Sequence, residues 1–175
     1  MSFPRTLRSA ALLLALLAAP GLAVAAEIVD FGITAGKRSE GGATAGQNAL
    51  TPPHAMSGVR YIERTDRIEA RLCRSFGIRV KLDDRPPRRV PSRVDVLVRH
   101  PTLTRPDGRQ SAETRFPSYV NNGMSAVGFT FDHDWEMAAG TWTIIVSSRG
   151  DELARKAFTV TVPAPGAPDS DCGVS

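Results

Sequence analysis

Residues 140–162, GTWTIIVSSRGDELARKAFTVTV, decide the fold class of this chain of 175 residues. Two runs within them alternate apolar with polar residues, and the apolar members of each run share one face: Trp142, Ile144 and Val146, then Phe158, Val160 and Val162. Alternation with a period of two is typical of a β-strand with one buried face. The segment RGDE at residues 149–152 joins the two runs through a short glycine-containing turn, which predicts a β-hairpin.

The same alternation continues upstream of this hairpin. Further strands are predicted at residues 26–34, 57–64, 76–83, 93–101, 112–120 and 125–132. Turn-forming sequences such as PDG and NNG lie between them. Residues 66–76, DRIEARLCRSF, fit either a helical stripe or strand alternation, and the pattern leaves both open. Seven or eight short strands without a clear helix predict an all-β fold, an antiparallel β-sandwich.

The beginning of the chain predicts a cleavable secretory signal peptide over residues 1–26. Arg5 and Arg8 form a basic start, the apolar run AALLLALLAAPGLA follows, and AVAA supplies the small residues that signal peptidase needs. The alternative is a retained membrane anchor, but a spanning helix needs about 20 apolar residues, and a Pro-Gly pair interrupts this run. We therefore expect cleavage near Ala25 or Ala26, export to the periplasm or beyond the cell, and no transmembrane segment afterwards.

The mature chain is predicted to form one domain over residues 27–162. Within it, residues 35–53, AGKRSEGGATAGQNALTPP, lack an apolar period and are expected to form a mobile loop. Residues 163–175 are rich in Pro, Gly and Asp and are expected to form a tail. Loss of two arginines with the signal peptide leaves 20 of the 22 basic residues against 18 acidic ones, so the net charge falls from +4 to +2. This mild charge gives no reason to expect a nucleic-acid partner.

Cys73 and Cys172 are the two cysteines of the chain. Because export implies an oxidising destination, they are predicted to form a disulfide that fixes the tail to the domain. Closing so long a loop contributes about 4–5 kcal/mol in the chain-entropy description. The alternative is two unpaired thiols with Cys73 as a small apolar residue. Cysteines this far apart give no CxxC or zinc pattern.

Three motifs near the C-terminus carry a family resemblance. They are AGTW at residues 139–142, GDELA at 150–154 and FTV at 158–160. Together with DRIEARLCRSFGIRV they resemble a bacterial family of exported, immunoglobulin-like single domains with unassigned function, over residues 28–162. The sequence departs from the motif at Ala139, where proline is usual. The resemblance implies an immunoglobulin-like sandwich and no catalytic residues.

The segment FDHDWEM contains a candidate metal site. Asp132, His133, Asp134 and Glu136 carry ligand types that calcium or zinc accepts. Strand alternation places His133 on the opposite face from the acids, and the EF-hand glycine is missing. If the chain turns instead, Asp134 is expected to cap one helical turn that ends at Gly140. A structural corner is the favoured interpretation, and a metal-binding module or metal-dependent hydrolase is the alternative.

Basic residues concentrate between positions 79 and 99. Arg79 and Lys81 are expected to share one solvent face, a candidate binding surface for an anionic polysaccharide, lipid headgroups or an acidic partner. Trp135 is a separate candidate, for carbohydrate binding. The alternative is a charged sheet face that prevents edge pairing. His54 and His100 are expected to be ordinary surface histidines, and no G-x-S-x-G motif marks a nucleophile.

These observations predict an exported, periplasmic or secreted module that binds or scaffolds rather than catalyses. An envelope protein or a glycan is the expected partner. We expect no cofactor and assign no catalytic residue.

Overall fold

A computed structural model describes residues 26–39, 50–51, 54–83, 89–164 and 166. The strands it contains are β1 Ala26–Ser39, β2 Ala55–Glu63, β3 Arg67–Glu69, β4 Ser75–Leu82, β5 Arg93–Thr104, β6 Gln110–Tyr119, β7 Met124–Thr130, β8 Gly140–Ser148 and β9 Asp151–Thr161. One sheet has the order β2-β1-β4-β7 and the other the order β3-β9-β8-β5-β6. The predicted β-sandwich is therefore confirmed. No helix among the described residues is long and apolar enough to cross a membrane.

The core lies between the two sheets and follows the alternation in the sequence. Phe76 from β4 is fully buried. Its ring centroid lies 5.1 Å from that of Phe158, 5.6 Å from that of Phe131 and 5.9 Å from that of Trp142. Trp142 is also fully buried, and its indole N–H donates to the carbonyl oxygen of Ala138 at 2.9 Å. Trp142 is thus a core residue, as its alternation predicted.

The predicted hairpin is formed by β8 and β9. Trp142 lies opposite Phe158 in the register, so the two apolar faces point to the same side. Arg149 and Gly150 form the turn with φ of 55° and 90°, and the glycine adopts this left-handed backbone without steric strain.

Residues 66–76, whose sequence pattern fitted either a helix or a strand, contain β3. Of the two open interpretations, the structure fits the strand: Ile68 and Ala70 are both fully buried, although β3 ends at Glu69 and Leu72 is only partly buried. β3 pairs in parallel with β9, with Ile68 opposite Val160. The described residues contain nine strands, where about seven or eight were expected, and β3–β9 is a parallel pair in an otherwise antiparallel sandwich. After β2 the chain crosses to the other sheet, and β3 runs there in the same direction as β9.

The mobile loop predicted over residues 35–53 begins too early. β1 continues to Ser39 and pairs with the first half of β2, with Arg38 opposite Met56. Glycine and alanine obscured the strand pattern there, because sheet pairing rather than an apolar face holds this part. Leu50 is partly buried against the core and Thr51 is half-buried, whereas residues 40–49 and 52–53 lie outside the described part of the chain.

His100 is not the surface histidine that was expected. It is 6% exposed and follows Val94, Val96 and Val98 on the inward face of β5. Its Nε2 lies 3.2 Å from the Thr114 hydroxyl oxygen, and its Nδ1 lies 2.9 Å from the Pro101 carbonyl oxygen. Burial lowers the pKa of His100 below its ordinary value. The inward alternation of β5 continues for one more inward position, from Val98 to His100.

Cys73 lies in a turn with φ of 65°, and its backbone N–H donates to the carbonyl oxygen of Phe131 at 2.7 Å. Cys172 lies outside the described residues, as do most of the tail and residues 1–25. The Cys73–Cys172 disulfide and the signal peptide therefore stay predictions.

Candidate functional site

A groove of about 490 Å³ lies against the β2-β1-β4-β7 sheet and is bordered on its other side by β6. Its floor includes Gly77 of β4 and Gly128 of β7, which lie opposite each other in the register. A Cβ atom at Gly77 would lie 2.2 Å from the Val127 carbonyl oxygen, and one at Gly128 would lie 2.2 Å from the Phe76 carbonyl oxygen. Only glycine fits at either position, so part of the floor is bare backbone.

The hairpin of β1 and β2 forms one wall of the groove. The pairing of these strands shifts register between Ile33 and Thr34 and again between Ala35 and Lys37. Such irregularities bend a strand and increase its twist. β2 contributes mainly apolar side chains to the groove lining: Met56, Val59 and Tyr61.

Arg79 and Tyr61 form a polar pair in this lining. The Arg79 guanidinium lies over the Tyr61 ring at 5.1 Å from its centroid, and its Nη2 donates to the carbonyl oxygen of Val59 at 2.7 Å. The Tyr61 hydroxyl is buried and has no hydrogen-bond partner in the described part of the protein. Burial raises the pKa of Tyr61, an effect that the charge of Arg79 partly opposes. The hydroxyl therefore stays neutral and is a donor without an acceptor.

The candidate metal residues, for which a structural corner was the favoured interpretation, lie directly after β7. A 3-10 helix at Asp134–Glu136 begins there, with His133 as its N-cap and Met137 as its C-cap. The alternative in which Asp134 caps a turn that ends at Gly140 is wrong, because Gly140 already begins β8. The cap shifts by one residue because the side chain of Glu136 reaches back to the backbone N–H of His133.

Glu136 is the centre of this corner and is only 1% exposed. One carboxyl oxygen accepts the backbone N–H groups of Asp132 at 2.6 Å and His133 at 3.0 Å. The other accepts the Thr51 hydroxyl at 2.6 Å. Burial raises the pKa of Glu136, although these three hydrogen bonds act in the opposite direction. The carboxyl group is thus used to hold the turn and the segment containing Thr51 together.

The side chain of Asp132 contacts different residues from those that Glu136 contacts. Arg38 of β1 donates to one of its carboxylate oxygens, and Nε2 of His54 lies 3.3 Å from the other. His133 and Asp134 are exposed, and the His133 ring stacks on Trp135 with 5.3 Å between the ring centroids. Within the described ranges, no three His, Cys, Asp or Glu side chains form a group able to hold a metal ion. The carboxylates at this corner are close in sequence, but their side chains contact different partners.

The predicted site residues fall into two sets, those that line the groove and those that do not. Arg79, Asp132 and Glu136 all line the groove, whereas Lys81, His133, Asp134 and Trp135 are not among its lining residues. Lys81 is exposed on the same strand as Arg79, and Trp135 packs partly against the core. Sequence reasoning missed Tyr61 and His54 as groove residues. The only signal for Tyr61 was its place in a weakly alternating strand.

The two packed sheets form a β-sandwich. The crystal structure of an immunoglobulin-like protein from Pseudomonas aeruginosa is similar in fold, with a TM-score of 0.56. The two proteins are 18% identical, and the match covers 81% of this chain and 100% of that one.

Residues 25–160 match the family described as Domain of unknown function (DUF3859). The chain belongs to that family, which confirms the predicted resemblance to an immunoglobulin-like family of unassigned function. No curated protein matches the chain.

Proposed function

We propose that this protein is an exported binding or scaffolding module of the bacterial cell envelope, and that the groove beside Tyr61 is its binding site. The observation that carries the proposal is the buried Tyr61 hydroxyl, which lines the groove and has no partner among the described residues. Buried polar groups are normally hydrogen-bonded. A ligand that supplies an acceptor gives this hydroxyl the partner that the fold leaves out.

Export is part of the proposal and rests on the predicted signal peptide at residues 1–26. An envelope protein or a glycan is the proposed partner. Cell fractionation tests the location, with the periplasm or the medium as the expected compartment. Thiol counting on denatured protein from that compartment tests the disulfide, since two free thiols would refute the Cys73–Cys172 pairing.

A blocking substitution tests whether the groove binds a partner. Ala126 is exposed on β7 and lines the groove, so Ala126→Trp is expected to fill it without entering the core. Ala112→Trp on β6 is the matched control, because Ala112 is exposed but is not a lining residue. We expect the mature protein to retain specific envelope proteins or glycans on a pull-down and glycan array, and Ala126→Trp alone to lose them. Equal retention by both variants would refute the groove as the site.

The metal alternative has a direct test. A metal at the corner needs Asp132 to leave Arg38 and Glu136 to leave its backbone donors. Calcium and zinc titrations followed by thermal melting measure whether that exchange is favourable. A stabilisation that is lost in Asp132→Asn would establish the metal site in place of the structural corner.

A further inference from the structure

Arg79 and Tyr61 point to the chemical class of the ligand, an inference that rests on the proposed binding function. We propose that the groove binds its ligand through an anionic oxygen group, a carboxylate or a phosphate, seated between Arg79 and Tyr61. The apolar body of the ligand then lies along the glycine floor and the side chains of β2 and β7.

The charge of Arg79 is the first observation that favours an anionic ligand. A guanidinium has five N–H donors, and in Arg79 the bond to the Val59 carbonyl oxygen uses one of them. Among the described residues, no carboxylate forms an ion pair with Arg79; Asp30, whose charge reaches Tyr61, pairs with Arg64 at 3.2 Å instead. Asp30 lies opposite Arg79 in the register of β1 and β4, but its carboxylate pairs with Arg64. Arg79 therefore forms no ion pair among the described residues and keeps donors for a ligand in the groove.

The acids of the groove do not cancel that charge. Asp132 is already paired with Arg38, and Glu136 is buried and hydrogen-bonded within the corner. Neither acid pairs with Arg79, so an anion is the ligand charge that Arg79 favours.

The Tyr61 hydroxyl is the second observation that favours an anionic oxygen group, and it does not depend on the charge of Arg79. It is a neutral donor that needs an acceptor, and the Arg79 guanidinium beside it has donors only. A cationic ammonium group offers an acceptor to neither group. A neutral carbonyl oxygen accepts hydrogen bonds from both but leaves the charge of Arg79 without a counter-charge. A carboxylate or phosphate satisfies both, through a charge-assisted hydrogen bond to Arg79 and a second bond to Tyr61.

The buried position of the hydroxyl sets a condition on binding. The ligand oxygen reaches it only when neighbouring side chains rotate, and Arg79 is the long, rotamer-rich side chain beside it. The apolar part of the ligand is set by the remaining lining, which includes Val59, Ala126 and the 42% exposed Met124. Exposed apolar side chains around a bare floor favour a ligand with an apolar body.

Four eight-carbon probes separate the possible recognition modes in calorimetric titrations: octanoate, octyl phosphate, 1-octanol and octylammonium. We expect octanoate and octyl phosphate to bind the mature protein, with affinity that falls as salt is raised. 1-Octanol should bind about tenfold more weakly, because it lacks the charge that Arg79 pairs with. Stronger binding of octanoate than of octyl phosphate, or the reverse, identifies which anion source the site prefers.

Matched variants assign the effect to the two residues. Arg79→Gln is expected to weaken octanoate binding about tenfold and to remove its salt dependence. Tyr61→Phe keeps the ring and is expected to weaken binding about fivefold while leaving the salt dependence in place. Lys81→Gln is the control, because Lys81 is exposed on the same strand but does not line the groove. It should bind octanoate within about twofold of the parent protein.

The outcomes separate this inference from the proposed function. Equal binding of 1-octanol and octanoate, or no effect of Arg79→Gln, overturns the anion inference. So does absence of binding by both anionic probes. If Ala126→Trp still abolishes partner retention in any of these cases, the groove function stands without the anion. Loss of both results would refute the two proposals together.

Discussion

Glu136 and Tyr61 each place a buried polar group in the lining of the same groove, but the two groups differ in their hydrogen bonding. The Glu136 carboxyl group accepts two backbone N–H groups and one hydroxyl. The Tyr61 hydroxyl has no hydrogen-bond partner among the described residues. A buried polar group with all its bonds made stabilises its surroundings, whereas one without a partner costs free energy. Glu136 is therefore a structural residue, and Tyr61 marks the place where something outside the fold is expected to bind.

Truncation of Glu136 gives the largest expected effect. Glu136→Ala removes the acceptor of three donors and leaves a cavity in the corner, so we expect the free energy of unfolding to fall by about 3 kcal/mol. Urea denaturation followed by far-UV circular dichroism measures this change. Asp134→Ala is the control, because Asp134 is exposed in the same short helix. A loss below that of the control would mean that Glu136 does not hold the corner.

Removal of the Tyr61 hydroxyl is expected to act in the opposite direction. Tyr61→Phe keeps the ring under Arg79 and removes a buried donor without a partner, so the free energy of unfolding should rise by about 1 kcal/mol. Tyr119→Phe is the matched control, since Tyr119 is 71% exposed and should change nothing measurable. Thermal and urea melts of the ligand-free protein measure both. A destabilised Tyr61→Phe would show that the hydroxyl already has a partner, and the contrast with Glu136 would be lost.

Sequence patterns predicted the β-sandwich because strand alternation is local. Val94, Val96 and Val98 identify the inner face of β5 without knowledge of any other strand. Strand alternation predicts nothing where backbone pairing with a neighbouring strand, rather than a buried apolar face, holds a strand in place. The second half of β1 is such a place, because it pairs with β2 through residues that are mostly small or polar.

The candidate site was less predictable because its contacts are distant in sequence. Arg79 and Tyr61 lie on β4 and β2, which are separated by β1 in the sheet order. Alternation gives the face of each side chain but not the order of the strands. The bond from Thr51 to Glu136 joins positions 85 residues apart, so the cluster in FDHDWEM offered no sign of its true partners. Proximity in sequence suggested metal chemistry as the alternative to a structural corner, and the structure gives the side chains of the cluster separate partners.

The smallest expected effect is a pH dependence that comes from Glu136 alone. Burial raises the pKa of Glu136 above the ordinary value of 4.5, although its hydrogen bonds lower it. The folded protein therefore holds this proton more tightly than the unfolded chain does. The stability gained from protonation is fully present below about pH 4.5 and is lost as the pH rises through the folded pKa.

Glu136→Gln removes this titration, so the difference in unfolding free energy between the parent protein and the variant isolates it. We expect that difference to shift in favour of the parent as the pH is lowered from about 7 towards 4.5. Urea unfolding at several pH values measures it, and Asp134→Asn controls for the general effect of removing one acid. A constant difference would mean that the three hydrogen bonds fully offset the cost of burying the charge. The corner would then be as well satisfied when ionised as when neutral, and its contrast with Tyr61 would be greater.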